Sequence, residues 1–188
     1  MSTSTASGFS INTLEAIYSA YNNNLSYSSF NFTNPSTGQQ QIISLVNFIG
    51  NPNYSGLNVD PDLLPIIYSG LATSLFNFVN DVSNNNVPNY NLGIINKFRI
   101  LVTIADGTVF FDSSKTNNTY QNFLNKAINE NHATRHYIQE CFHSKSGISW
   151  ESKWSSSTRA LDTYYSVRFG QAPQGCIGVI AFSYSNSY

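Results

Sequence analysis

The chain has 188 residues, 41% hydrophobic and 14% aromatic, enough for a sizeable core and too apolar for intrinsic disorder. Only 10% are charged and the net charge is −1, whereas an average globular domain is about 25% charged. With 25 Asn and 27 Ser filling the gap, the surface is polar but nearly neutral, which excludes the long-range field a nucleic-acid binder needs.

Met1 to Gly8 carries neither a basic cluster nor an apolar run, so no secretory signal is expected and the chain reads as intracellular, cytoplasmic at synthesis. Ile11, Leu14, Ile17, Tyr18 and Tyr21 fall at helical spacing and predict a helix over Phe9–Tyr21. A second short helix is predicted over Gln39–Ile49. Asp60-Pro61-Asp62 is a helix-start signal, and helix should continue in pieces to about Val82. This stretch is the most apolar in the chain, but Pro65, Ser69, Gly70, Thr73, Ser74 and Asn77 interrupt it, so no membrane span is expected. The Asn runs 22–24 and 84–86 read as loops, and residues 1–96 together as a mainly helical N-terminal arm.

From Lys97 the texture becomes β. Phe98, Ile100, Val102 and Ile104 alternate with their neighbours, Asp106-Gly107 follows, and a second apolar run ends at Asp112, which predicts a hairpin. Helices are predicted over 116–129 and 131–143, then strands at Ile148–Trp150, Thr158–Phe169 and Cys176–Tyr184. In the middle one, Leu161, Thr163, Tyr165, Val167 and Phe169 face one way and Asp162, Tyr164, Ser166 and Arg168 the other. Helices segregated from an antiparallel sheet make an α+β plan, here a five-stranded sheet with helices on one face. Cys141 and Cys176 read as buried thiols rather than a disulfide.

Three chemical motifs are suggested: two lack a needed residue, and the third has a plainer reading. Ile100 to Val109 looks like the first motif of haloacid dehalogenase-like phosphatases, but Ile104 stands where the nucleophilic Asp belongs. Gly170 to Gly175 has P-loop glycine spacing, but Cys176-Ile177 follows where Lys and a hydroxyl are needed, so it reads as a hairpin turn. His132, His136, Glu140 and His143 form one stripe on a helix, with metal-ligand spacing at i and i+4. That stripe flanks an apolar face of Ala133, Tyr137, Ile138, Cys141 and Phe142, and reads as a solvated edge. No catalytic set, metal or cofactor is expected.

Residues 97–184 nonetheless resemble a known pattern. Phe98 to Ser113 is similar to the opening hairpin of Cache-type sensor domains, relatives of PAS domains. Asn131 to Tyr137 resembles that family's helix with an Arg followed by an aromatic, and Thr163–Phe169 with Gly175–Ile180 resemble its closing hairpin. The resemblance implies a Cache/PAS-like domain over 97–188 with a pocket between sheet and helices, where Arg135 would bind an anion and Trp150 and Tyr164 would line the wall. It also implies a sensor of a small carboxylate or amine. The neutral surface and the want of a catalytic set point instead to a non-enzymatic structural or protein-interaction component of a larger homo- or hetero-oligomeric assembly. The Asn-rich composition looks like that of virion proteins of large AT-rich DNA viruses. That is the leading expectation, with the ligand-binding sensor as the alternative.

Overall fold

The computed structural model describes residues 11–51, 59–93, 95, 97–128, 131–155, 159–171 and 174–186. Phe9, Ser10, Asn129, Thr158 and Pro173, which belong to predicted elements or turns, lie outside them.

Helix α1 (Ile11–Asn22) forms as expected and buries Leu14, Ile17, Ala20 and Tyr21. After a one-turn helix α2 (Leu25–Ser28), capped by Asn24, the chain forms a hairpin of β1 (Ser29–Thr33) and β2 (Gln40–Ser44). The predicted helix over Gln39–Ile49 is therefore half strand. Ser44 is the dividing residue, since its side chain accepts from Asn47 N (3.0 Å) and starts α3 (Leu45–Ile49). Asp60 caps a 3₁₀ turn at Pro61–Leu63, and α4 (Leu64–Ser83) then runs on as one piece. By length and composition Pro61–Ser83 is long and apolar enough to cross a membrane. Its residues Ile67, Leu71, Leu75, Phe78 and Val82, however, form one buried stripe at helical spacing, as in the core helix of a folded domain. Gly70 lets α4 approach β1, because a Cβ there would fall within 2.4 Å of the Phe30 ring, and Ser74 Oγ donates to Ser29 O (3.0 Å).

The second half is β3 (Arg99–Ile104), β4 (Val109–Asp112), α5 (Tyr120–Leu124), α6 (His136–His143), β5 (Ile148–Ser155), β6 (Ala160–Gly170) and β7 (Cys176–Asn186). The five strands form one antiparallel sheet in the order β4-β3-β7-β6-β5, so the fold is α+β with the expected five-stranded sheet. The hairpins flank the centre: β3 pairs with β7 from Arg99↔Ser183 to Ile104↔Gly178.

The register assigns every side chain to a face. Ile100, Phe182, Tyr165 and Trp150 form one row across β3, β7, β6 and β5, and Val102, Ile180, Val167 and Ile148 the next. This first face carries the main core. Residues of α1, α3, α4 and β1 pack on it, and Phe182 alone meets the rings of Tyr18, Tyr21, Phe78 and Phe98 at 5.9–6.3 Å. One core thus takes residues from both halves of the chain. One helix departs from the one-face expectation: α6 packs Tyr137, Ile138 and Cys141 on the opposite face, against Leu101, Val179 and Ala181.

Both predicted middle helices are shorter than their periodicity suggests, and asparagine side chains explain why. Asn131 donates to Asp106 O (2.8 Å) and accepts from Ala133 N (2.7 Å), which ties residues 131–133 to the β3–β4 turn and delays α6 until His136. Asn122 and Asn117 bond to backbone carbonyls around α5, and Lys126 sits at φ 56°, past its end.

Candidate functional site

The second face of the sheet is where polar chemistry collects. Its rows read Arg99, Ser183, Tyr164 and Glu151; then Asp112, Leu101, Ala181, Ser166 and Ser149; then Thr103, Val179 and Arg168. Alternation on β6 showed that Asp162, Tyr164, Ser166 and Arg168 share a face. It did not show that this face is covered, yet Ser166 is fully buried and Arg168 and Asp162 nearly so.

Three interactions organise the face. Arg99 grips Asp112 with two parallel bonds, Nε to Oδ1 at 3.0 Å and Nη2 to Oδ2 at 2.7 Å. Burial of Asp112 works to raise its pKa, but Arg99 and Ser114 outweigh it and hold the carboxyl below its ordinary value. Arg168 donates to the carbonyls of Phe142 (3.2 Å) and Ser144 (2.8 Å), so its guanidinium serves the unpaired C-terminal end of α6. Tyr137 stacks on Tyr164 with centroids 5.2 Å apart, and its hydroxyl meets His132 Nδ1 at 2.6 Å.

His132 is the residue the sequence placed wrongly. Helical spacing set it on a solvated stripe with His136, Glu140 and His143. His136, Glu140 and His143 are indeed exposed, with His136 near Glu140 (3.4 Å) and bonded to Glu151 (2.8 Å). His132, outside the helix, turns inward and is 1% exposed. Its backbone N donates to Gly107 O (2.9 Å). Gly107 permits this approach: it sits at φ 86°, and a Cβ there would lie 2.5 Å from Ala133 N. Burial, then the positive charges of Arg135 and Arg99, lower the His132 pKa to about 4, so the imidazole is neutral at pH 7. Its Nε2 has no hydrogen-bond partner, nor have the buried hydroxyls of Thr103, Thr108 and Ser166 or the Oε1 of Glu151. Among the described residues no three His, Cys, Asp or Glu side chains converge as metal ligands would.

The three residues singled out by the resemblance do not meet. Arg135 is exposed at the start of α6, where its carbonyl accepts from Ile138 and Gln139. Its charge is felt by Tyr164, which lies on the same side. Trp150 lies on the other face, because Trp150 pairs with Tyr165 and Glu151 with Tyr164. Trp150 is also 61% exposed, neither pocket wall nor core. Tyr18 on α1 reaches across the first face as far as the Tyr165 ring (6.3 Å), and β5 lies one strand further out.

That leaves an uncovered apolar stripe. Ile148, Trp150 and Trp154 alternate along the first face of β5 and are 40%, 61% and 61% exposed. Among the described residues, the other large exposed apolar side chains, Leu25, Ile42, Ile66 and Leu124, are scattered over four different elements. Cys141 and Cys176 are free thiols; Cys141 is buried, and that burial pushes its pKa up to about 12.

No family model, curated protein or solved structure matches this chain.

Proposed function

We propose that this chain is a non-catalytic structural component of a larger assembly, holding its partners through a Cache/PAS-like sheet. The observation that carries the reading is the edge strand β5, which exposes Ile148, Trp150 and Trp154 on one face. Exposed tryptophans on a sheet edge are costly to leave in water and are the residue type that dominates interface energetics. The low charge supports the same reading, since a surface with little electrostatic repulsion suits permanent contacts. The pairing of the opening and closing hairpins through β3 and β7 supports the Cache/PAS-like description. The Asn-rich composition fits a virion component of a large DNA virus.

In extracts of its native source the chain is expected to sediment with a particle many times its own 20.9 kDa. The double change Trp150→Ser and Trp154→Ser should cut incorporation about tenfold or more. A chain that sediments at its own mass, with the serine variant indistinguishable from it, overturns the proposal.

A second reading, a small-molecule sensor, is favoured by one observation: the unpartnered His132 Nε2, Thr103 Oγ1 and Thr108 Oγ1 buried around the β3–β4 turn. A small carboxylate or amine bound there would supply their missing partners. Thermal shift against a panel of amino acids and organic acids tests it, because a ligand at one hundred times its Kd adds about 2.7 kcal/mol. A panel with no stabilising member removes this reading.

A further inference from the structure

We infer that β5 pairs antiparallel with β5 of a second copy of this chain, about a two-fold axis through Ser152, joining two five-stranded sheets into one. The inference rests on the same exposed strand as the assembly reading and names its first partner.

The strand is built as an open edge. Among the described residues β5 has β6 on one side and no strand on the other. Its register with β6 runs unbroken from Ile148↔Val167 to Ser155↔Ala160, with no bulge to turn the edge away, and it contains no proline. The opposite edge of the sheet, β4, is four residues long and wholly buried. Association along an edge of this sheet therefore has, among the described residues, β5 to use.

The order of residues on β5 selects the occupant. Trp150-Glu151-Ser152-Lys153-Trp154 reads the same from both ends, apart from a change of charge sign. In an antiparallel self-pair centred on Ser152, each Trp150 stands opposite Trp154 of the second copy, on the first face. Each Glu151 stands opposite Lys153 of the second copy, on the second face. One register satisfies both faces at once. Centring the pair on Glu151 would set Glu against Glu, and centring it on Lys153 would set Lys against Lys, each a like-charge clash. A strand of another protein would need a matching sequence; a second copy carries it by symmetry.

The size of the patch sets the strength. Four indoles with about 150 Å² exposed on each contribute about 600 Å², a small interface by the standard of stable complexes. The dimer is accordingly weak and reversible, and its population depends on protein concentration.

Trp150 and Trp154 are the only tryptophans, so indole fluorescence reports this contact alone. Raising the concentration of the purified full chain should take it from monomer to dimer in sedimentation equilibrium. Over the same range the emission should shift to the blue and acrylamide quenching should fall. Lys153→Glu should weaken self-association about tenfold or more, and so should Glu151→Lys. An equimolar mixture of these two variants should regain the dimer, because each copy then carries a single sign at both positions. Trp154→Ser, at an exposed site, gives the same loss without touching the contact between Glu151 and His136. A chain that stays monomeric with concentration-independent emission overturns the dimer, and so does a dimer that Lys153→Glu and Trp154→Ser leave intact. A pure monomer that still sediments with a large particle in native extracts sinks the self-pairing and keeps the assembly reading. A dimer with nothing larger in those extracts does the reverse.

Discussion

Replacing Arg99 with alanine should destabilise the fold by about 3–5 kcal/mol, because it leaves a buried carboxylate without its cation. Asp112 is 0% exposed and Arg99 holds both its oxygens, at 3.0 and 2.7 Å. Ser114 adds a backbone N–H (3.0 Å) and a hydroxyl (2.7 Å) to Oδ1, which are too weak to replace a guanidinium. The loss should appear in urea unfolding as a lower midpoint with an unchanged slope. Adding Asp112→Asn to Arg99→Ala should recover at least half of it, since the amide removes the charge and can still accept from Ser114. The pH dependence follows in sign. Asp112 titrates below its ordinary value in the fold, so its contribution is fully present above the unfolded carboxyl's pKa and is lost as pH falls further. A loss under about 1 kcal/mol for Arg99→Ala would mean that the pair behaves as a surface salt bridge.

The second large effect is on pH, and it belongs to His132. In the unfolded chain this imidazole takes up a proton near its ordinary pKa of 6.5; in the fold its pKa is lowered to about 4. Between those values the unfolded state binds a proton that the folded state refuses, so stability falls as pH falls. The loss is complete near pH 4 and amounts to about 3 kcal/mol, or roughly 6–12 °C in melting temperature. Its window lies above that of Asp112, so the two are separable by pH alone. Unfolding midpoints measured at intervals from pH 8 to pH 4 should show this slope in the wild type. His132→Gln should lack it between 6.5 and 4, whatever its stability at pH 8. A wild-type curve flat over that interval would show that His132 protonates freely in the folded protein, and would refute its burial.

The elements that local pattern specifies are those the sequence showed. The hairpin from Phe98 to Asp112 was legible because alternation and the Asp-Gly turn act within a few residues. Helices α1 and α4 were legible because one apolar stripe is enough to define a helix face. Strand β6 was legible down to which residues share a face, since a period of two is a property of the backbone. Asparagine misled wherever it bonded to backbone, at α5 and ahead of α6, because whether its amide caps, bridges or faces water depends on what lies nearby.

What decides the candidate sites lies beyond any window of sequence. His132 looked like part of a solvated stripe until the β3–β4 turn, with Gly107 clearing the way, took its backbone N–H and turned the ring inward. Trp150 was expected as pocket wall, since nothing local says which strand ends a sheet or how far a covering helix reaches. The self-complementary order of Trp150 to Trp154 is present in the sequence but means nothing until β5 is known to be an edge. The low charge, by contrast, was settled by the residues alone. It determined a nearly neutral net charge, on which the expectation of no nucleic-acid partner rests, because long-range potential follows from the count of charges. Where the remaining charges meet is a matter of tertiary contact: Arg99 stands 13 residues from Asp112 and Arg168 stands 24 from Ser144, each brought to its partner by strand pairing and helix packing.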